Sequence, residues 1–371
     1  MIIKNANVFS ENGSFVKKDI YIDEDRITQD VTSSTETLDG EGLYAIPGLI
    51  DLHFHGCVGY DFCDGTHEDI QAIANYQASN GITSIAPATM TLNEEELSKI
   101  FSAAGTYKSD SGAALVGIHM EGPYLSVAKK GAQDGKYIIQ PNVEHFHKMN
   151  KLSGGLIKLV SLAPEEEGSI EFIDAVKEEV IISLAHTTAD YDTATKALEH
   201  GASHVTHLYN AMPPFNHREP SVVGAAFDKK NCYVELICDG VHIHPSVIRA
   251  SFQLFGDDRV VLVSDSMMAT GMEDGNYSLG GQAVSVTGNR ATLIDGTIAG
   301  SATNLMKCMQ TAISYGIPLE STIKAASVNP AKQLGIYKEY GSITPGKYAN
   351  IVLLDKDFSL KQVILRGKLI K

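Results

Sequence analysis

Two histidines separated by one residue, His53-Phe54-His55, follow the apolar run Ala45-Ile46-Pro47-Gly48-Leu49-Ile50-Asp51-Leu52. Side chains alternate across a strand, so residues two apart face the same side. Two neutral imidazoles placed this way at a strand exit can grip one metal ion. Four more metal-competent residues end short apolar runs further along. They are Glu121 in His119-Met120-Glu121-Gly122-Pro123, His186 in Leu184-Ala185-His186-Thr187, His207 in Val205-Thr206-His207-Leu208, and Asp265 in Val261-Leu262-Val263-Ser264-Asp265. Four histidines, a glutamate and an aspartate suit one or two divalent ions, zinc or iron first, with manganese and cobalt also accepting the set. Glu121 can bind one ion or bridge two. A metal lowers the pKa of its water toward ~7, and a carboxylate beside that water can take its proton and later protonate a leaving amine. Asp265 is the candidate for that role, and the reaction class is metal-assisted hydrolysis.

These residues need a scaffold that brings distant strand ends together. Eight strand-like runs occur, at 48–55, 82–89, 115–121, 157–163, 180–186, 204–207, 233–238 and 260–265, with amphipathic segments such as 93–104, 170–179 and 192–200 between them. Strand–helix alternation implies parallel βαβ units. Eight such units predict an α/β fold, a (β/α)8 TIM-like barrel, whose sites lie at the C-terminal strand ends. A doubly wound open sheet is the competing architecture, and its dinucleotide-binding form is weakened by the absence of a GxGxxG turn after the first strand. Short alternating runs at both termini predict a small β-sandwich domain from residues 1–46 and 340–371, leaving 47–339 as the barrel. The Gly-rich turns between Tyr277 and Ile298 predict a β-hairpin insertion near 275–300.

Composition limits the partners. The chain has 371 residues, is 43% hydrophobic and carries a formal net charge of −15, which argues against nucleic acid and anionic membrane surfaces. No run approaches the ~20 apolar residues of a membrane span, and Met1-Ile2-Ile3-Lys4-Asn5 lacks the apolar core of a signal peptide. A cytoplasmic location is the resulting expectation. Five cysteines without a CxxC pair predict reduced thiols rather than a disulfide framework.

The HxH after the first strand, the later histidines and the eighth-strand aspartate resemble the amidohydrolase superfamily. Residues 329–335 (NPAKQLG) and 341–350 (GSITPGKYAN) resemble its C-terminal signature. The resemblance narrows to the N-acetylglucosamine-6-phosphate deacetylase family through His119-Met120-Glu121-Gly122-Pro123-Tyr124, Thr206-His207-Leu208-Tyr209-Asn210-Ala211-Met212, Arg218-Glu219-Pro220, Asp239-Gly240-Val241-His242 and Ser264-Asp265. It covers essentially the whole chain. The resemblance implies hydrolysis of an N-acetylated amino-sugar phosphate to the free amine and acetate. It implies that Glu121, His186 and His207 hold the main metal and that Asp265 is general base and then acid. Asn210, the backbone at Ala211 and His242 are expected to contact the sugar phosphate. Arg218 is expected to reach the phosphate in a neighbouring subunit of a homodimer. Some members lack the HxH pair and use one metal; His53 and His55 here imply a second. Gln133 stands where some members carry a carbonyl-polarising histidine, and it can donate a hydrogen bond without carrying charge.

His119, two before Glu121, is expected one layer deeper in the barrel, and His204 is expected to point away from it. His67, His145, His147, His200 and His217 are expected in solvated helices or loops. Lys158 falls near the start of the fourth strand, away from the position of the bridging lysine in many binuclear amidohydrolases. The alternatives are a deacetylase of the galactosamine isomer, another amidohydrolase acting on a small cyclic amide, and a non-catalytic barrel.

Overall fold

The computed structural model describes residues 1–30, 36–109 and 111–371. Its middle is a ring of short parallel strands: β1 (Leu49–Asp51), β2 (Ile82–Ile85), β3 (Ile118–Tyr124), β4 (Ile157–Leu162), β5 (Ile181–Leu184), β6 (His204–Val205), β7 (Tyr233–Ile237) and β8 (Val260–Val263). Nearly every residue in these strands is buried, as befits a parallel sheet covered on both faces. β1 pairs with β2, and β3 to β8 pair in chain order, all parallel. Backbone bonds complete the ring at its two seams. Ala88 bridges His119 between β2 and β3. Between β8 and β1, Asp265 N–H donates to His53 O (2.9 Å) and His55 N–H to Ser266 O (2.7 Å). Ser264 Oγ also donates to the buried carboxylate of Asp51 (2.6 Å), tying the last strand to the first.

A helix follows each strand, and the sequence marks where several begin. Thr66, Asn93, Asn142, Asp190 and Asn304 each accept a backbone N–H from the first helical turn. The helix Glu94–Thr106 buries Leu97, Ile100, Phe101 and Ala104, the spacing of one apolar stripe laid on the barrel. The barrel floor is filled by Ile50, Leu159, Ile237, Val261 and Val263, closed by Ala331 and Leu334 from the helix Asn329–Gln333 and its C-cap. This is the α/β barrel expected from the strand–helix alternation, with regular strands shorter than the apolar runs that announce them except β3, which is shifted to end at Tyr124.

Two further sheets flank the ring. The first takes strands from both ends of the chain, in the order Lys368–Leu369, Leu360–Leu365, Ile351–Leu354, Tyr44–Pro47, Ile2–Phe9, Phe15–Asp23, Arg26–Thr28, with Thr37–Asp39 also on Ile2–Phe9. Ile3, Val8, Ile20, Ile22, Ile351 and Ile364 give it an apolar core of its own. The second is a four-stranded antiparallel meander, Gly275–Leu279, Gln282–Thr287, Arg290–Leu293 and Ile298–Ser301. It leans over the C-terminal strand ends, where Ser301 bridges Ser266. All five cysteines are free, and no described helix is long and apolar enough to cross a membrane.

Phe54 is fully buried in the strand–helix layer, while His55 faces the barrel mouth and His53 points inward to Glu121. Phe54→Ala is therefore expected to lower stability by about 3–5 kcal/mol, the cost of emptying a packed aromatic site. Urea unfolding of the two proteins measures it.

Candidate metal centre and active site

The chain leaves β5, β6 and β8 through unusual backbone. His186, His207 and Asp265 adopt φ of +44°, +28° and +49°. A non-glycine residue in this region costs roughly 1–2 kcal/mol, so each must be held there. Ser126 N–H bonds His186 O (2.9 Å), His207 N–H bonds the Glu235 carboxylate (2.9 Å), and Ser301 N–H bonds Asp265 O (2.7 Å). His53 and His55 lie beyond the regular end of β1 at Asp51 rather than within a strand running to His55. Their rings still converge, because their backbone pairs with residues 265–266 as the ring closes.

Glu121 is the centre of the arrangement. Its Oε1 lies 3.1 Å from His207 Nε2, 3.2 Å from His186 Nε2 and 3.4 Å from His53 Nε2, and its Oε2 lies 3.4 Å from His55 Nε2. The two Nε2 atoms of His186 and His207 are 3.1 Å apart. Asp265 Oδ1 is 3.3 Å from His55 Nε2 and 3.7 Å from His53 Nε2. Glu121, His186 and His207 form one cluster able to hold a metal, and His53, His55 and Asp265 form a second. A tetrahedral ion with ligands at 2.0–2.1 Å has ligand atoms roughly 3.3 Å apart, close to these spacings. His53 Nε2 is buried without a hydrogen-bond partner, a ring nitrogen free to ligate an ion. The residues fit a divalent metal, and Glu121 touches both clusters with different oxygens.

The electrostatics agree. Burial raises the Glu121 carboxyl, but the surrounding imidazoles of His53, His186 and His207 more than reverse it and hold it well below the usual carboxylate range. Burial opposes charge on His55 as well, yet its contacts with Asp265 and Glu121 raise its pKa to about 9. Asp265 is lowered despite burial, by His55 and then His53. Two buried carboxylates that draw this much positive charge onto the imidazoles beside them form a site that favours a cation.

A surrounding layer fixes the ligands. His186 Nδ1 bonds Lys129 O (2.8 Å) and His53 Nδ1 bonds Glu235 Oε2 (2.7 Å), the partners that orient metal-binding imidazoles. Gln133 Nε2 donates to Glu121 Oε2 (2.9 Å) while its Oε1 accepts from Thr91 N–H (2.6 Å). The glutamine expected to face substrate thus also grips Glu121 from the side. His242 Nδ1 lies 2.7 Å from Asp239; burial opposes its charge, and Asp239 reverses that and raises its pKa.

Above the clusters lies a cavity of about 360 Å³. Of the residues singled out in the sequence, His55, Glu121, Gln133, His186, His207, Asn210, Ala211, His242 and Asp265 line it, and His53 sits buried beneath. Arg218 does not line it. It is exposed on a separate cavity of about 590 Å³ with Tyr191 and Pro213. Lys158 Nζ bonds Gly155 O, at the opposite end of β4 from the site. His204 corrects the expectation that it points away: it is fully buried, with Nε2 3.0 Å from Glu235 Oε1. Regular strand ends at Val205 and the left-handed turn at His207 breaks the alternation. His145, expected in solvent, is half-buried on the Tyr124 hydroxyl (2.7 Å). Glu235 and Asp51 were missed. Their signal was available: each is an acidic residue inside an otherwise apolar strand, Tyr233-Val234-Glu235-Leu236-Ile237 and Leu49-Ile50-Asp51-Leu52.

The comparisons with known proteins agree with this geometry. The amidohydrolase family profile matches residues 44–370. An N-acetylglucosamine-6-phosphate deacetylase of Bacillus subtilis is 36% identical, aligned over 100% of this chain and 96% of its own. An N-acetylgalactosamine-6-phosphate deacetylase of Escherichia coli O157:H7 is 32% identical over 87% and 86% of the two chains. The solved structure of a mutant N-acetyl-D-glucosamine-6-phosphate deacetylase from Mycobacterium smegmatis, in complex with N-acetyl-D-glucosamine-6-phosphate, superposes with a TM-score of 0.93 at 28% identity, covering 100% and 98%. The chain belongs to the amidohydrolase family, whose members are metal-dependent hydrolases built on this barrel. Within it, the chain falls among the N-acetylglucosamine-6-phosphate deacetylases.

Gly122, beside Glu121, has φ +91°, and an added Cβ would meet Thr91 Oγ1 at 2.1 Å. Gly122→Ala is expected to displace Glu121 and lower bound metal at least severalfold in protein that still folds. Elemental analysis alongside circular dichroism checks this.

Proposed function

We propose that this chain hydrolyses the N-acetyl group of N-acetylglucosamine 6-phosphate, giving glucosamine 6-phosphate and acetate in amino-sugar catabolism. The observation that carries the reading is the convergence of Glu121 Oε1 with the His186 and His207 Nε2 atoms at 3.1–3.2 Å, beside Asp265 and under one cavity. A divalent ion held by Glu121, His186 and His207, with a second at His53, His55 and Asp265, would supply Lewis acidity and a water of lowered pKa. Zinc or iron suits these ligands best. Asp265 takes the proton from the attacking water and returns it to the amine nitrogen as the C–N bond breaks. The second amide N–H of Gln133 is left to steady the acetyl carbonyl. At the other end of the cavity, Asn210, the Ala211 backbone and His242 receive the sugar phosphate, and the raised pKa of His242 keeps it cationic to higher pH than an ordinary imidazole. Arg218, exposed and outside its own cavity, suits the phosphate held by a second copy in a homodimer, where its fork matches phosphate geometry. We further propose two bodies, residues 1–46 with 340–371 and residues 47–339, in a cytoplasmic enzyme without nucleic-acid or membrane partners.

The galactosamine isomer is the second reading, favoured by the E. coli relative. Comparing kcat/KM for the two sugar phosphates by acetate release decides between them, and a higher value for the gluco sugar is expected. In the same assay Asp265→Asn is expected to lower kcat by about 10²–10⁴-fold, with metal retained at Glu121, His186 and His207. Full hydrolysis by the metal-loaded variant would remove Asp265 from the chemistry. His53→Ala and His55→Ala are expected to reduce bound metal from two ions to one per subunit and to slow turnover. Unchanged metal content and turnover in both would leave the second ion without support.

A further inference from the structure

Glu235 stands in the middle of β7 and is fully buried. A carboxylate so placed demands donors on both oxygens, and the barrel supplies them from β1 and β6. Its Oε2 takes His53 Nδ1 at 2.7 Å and the His207 backbone N–H at 2.9 Å, while Oε1 meets His204 Nε2 at 3.0 Å. His119 packs edge-on against His53, ring centres 4.6 Å apart, and anchors itself on Ser161 Oγ (2.7 Å). One carboxylate therefore touches a histidine of each metal cluster: the ring of His53 and the backbone of His207.

The contact on His53 has a chemical consequence. An ionised carboxylate only accepts hydrogen bonds, so the proton of a neutral His53 resides on Nδ1. Its Nε2 then carries a lone pair, and that atom is the one left without a partner, facing Glu121 and Asp265. We propose that Glu235 is a positioning residue that couples the two metal clusters: it fixes the tautomer and aim of His53 while setting the height of His207 above β6. His204 braces the far oxygen. The inference rests on the metal-dependent deacetylase reading above, and adds to it a group that touches neither substrate nor ion. A competing geometry exists, because ligand atoms of His53, His119 and Glu235 also lie within 4.8 Å of one another and could enclose an ion themselves.

The test uses the full chain, stripped of metal and titrated with Zn²⁺ against a chromophoric chelator. Glu235→Met removes both acceptors at similar volume and is expected to weaken zinc binding about 10–100-fold. Glu235→Gln keeps one oxygen for His53 and His207 and is expected to recover most of that loss. Wild-type zinc affinity in the Met variant overturns the proposal, and so does equal loss in both variants, which would assign the effect to charge alone. Should the Met variant not fold, the structure of the zinc-loaded wild type decides. An ion on His53 Nε2 with Glu235 still on Nδ1 is expected; an ion on Nδ1 or on Glu235 itself overturns the assignment. Wild-type protein that binds no zinc or other divalent ion would instead remove the metal reading on which the inference rests.

Discussion

Glu121 is 2% exposed, and its two oxygens face four imidazoles and an amide. A carboxylate removed from water is tolerable only where donors or cations meet it. β3 itself supplies none of these imidazoles: its own histidine, His119, turns to Ser161 Oγ and the His53 ring. They arrive instead from the ends of β1, β5 and β6, which a closed ring brings within hydrogen-bonding reach. The architecture and the site are thus one requirement seen twice. The barrel makes an interior where these side chains can converge, and their convergence makes the buried carboxylate affordable.

The same logic repeats one layer down. Glu235 is buried among His53, His204 and the backbone of His207, and its charge persists because burial is outweighed first by His53 and then by His204. Asp51 is the less compensated case: burial raises it to about 7 against the bonds from Ser264 and His53. It lies at the β1–β8 seam, where a hydroxyl rather than an imidazole is its closest partner. The acidic groups grow better matched toward the barrel mouth, where the clusters able to hold a metal lie.

Backbone strain collects at the same end. His186, His207 and Asp265 are all left-handed, and Tyr209 (+78°) and Ala211 (+52°) continue the pattern past β6. Such residues cluster at functional sites because the surroundings over-determine them. For His186, His207 and Asp265 the hydrogen bonds with Ser126 N–H, the Glu235 carboxylate and Ser301 N–H do so, and the last comes from the antiparallel meander. The meander therefore contributes more than a wall to the cavity: it holds the backbone of Asp265.

Much of this was legible in the chain. Apolar runs located all eight barrel strands, because burial on both faces imposes local composition. Residue type at the ends of those runs singled out Glu121, His186, His207 and Asp265, which the structure brings together under one cavity. What local pattern could not supply was direction. Period-two alternation fails where a strand ends in a left-handed turn, so His204 turns inward and the His53–His55 pair lies beyond a strand that stops at Asp51. Glu235 showed only as an acidic residue in an apolar run, since its partners lie 182, 31 and 28 positions away. The sequence by itself determined the elements and the chemistry available at their ends. The closed ring decided which atoms meet, because side-chain aim depends on backbone held by bonds from distant strands.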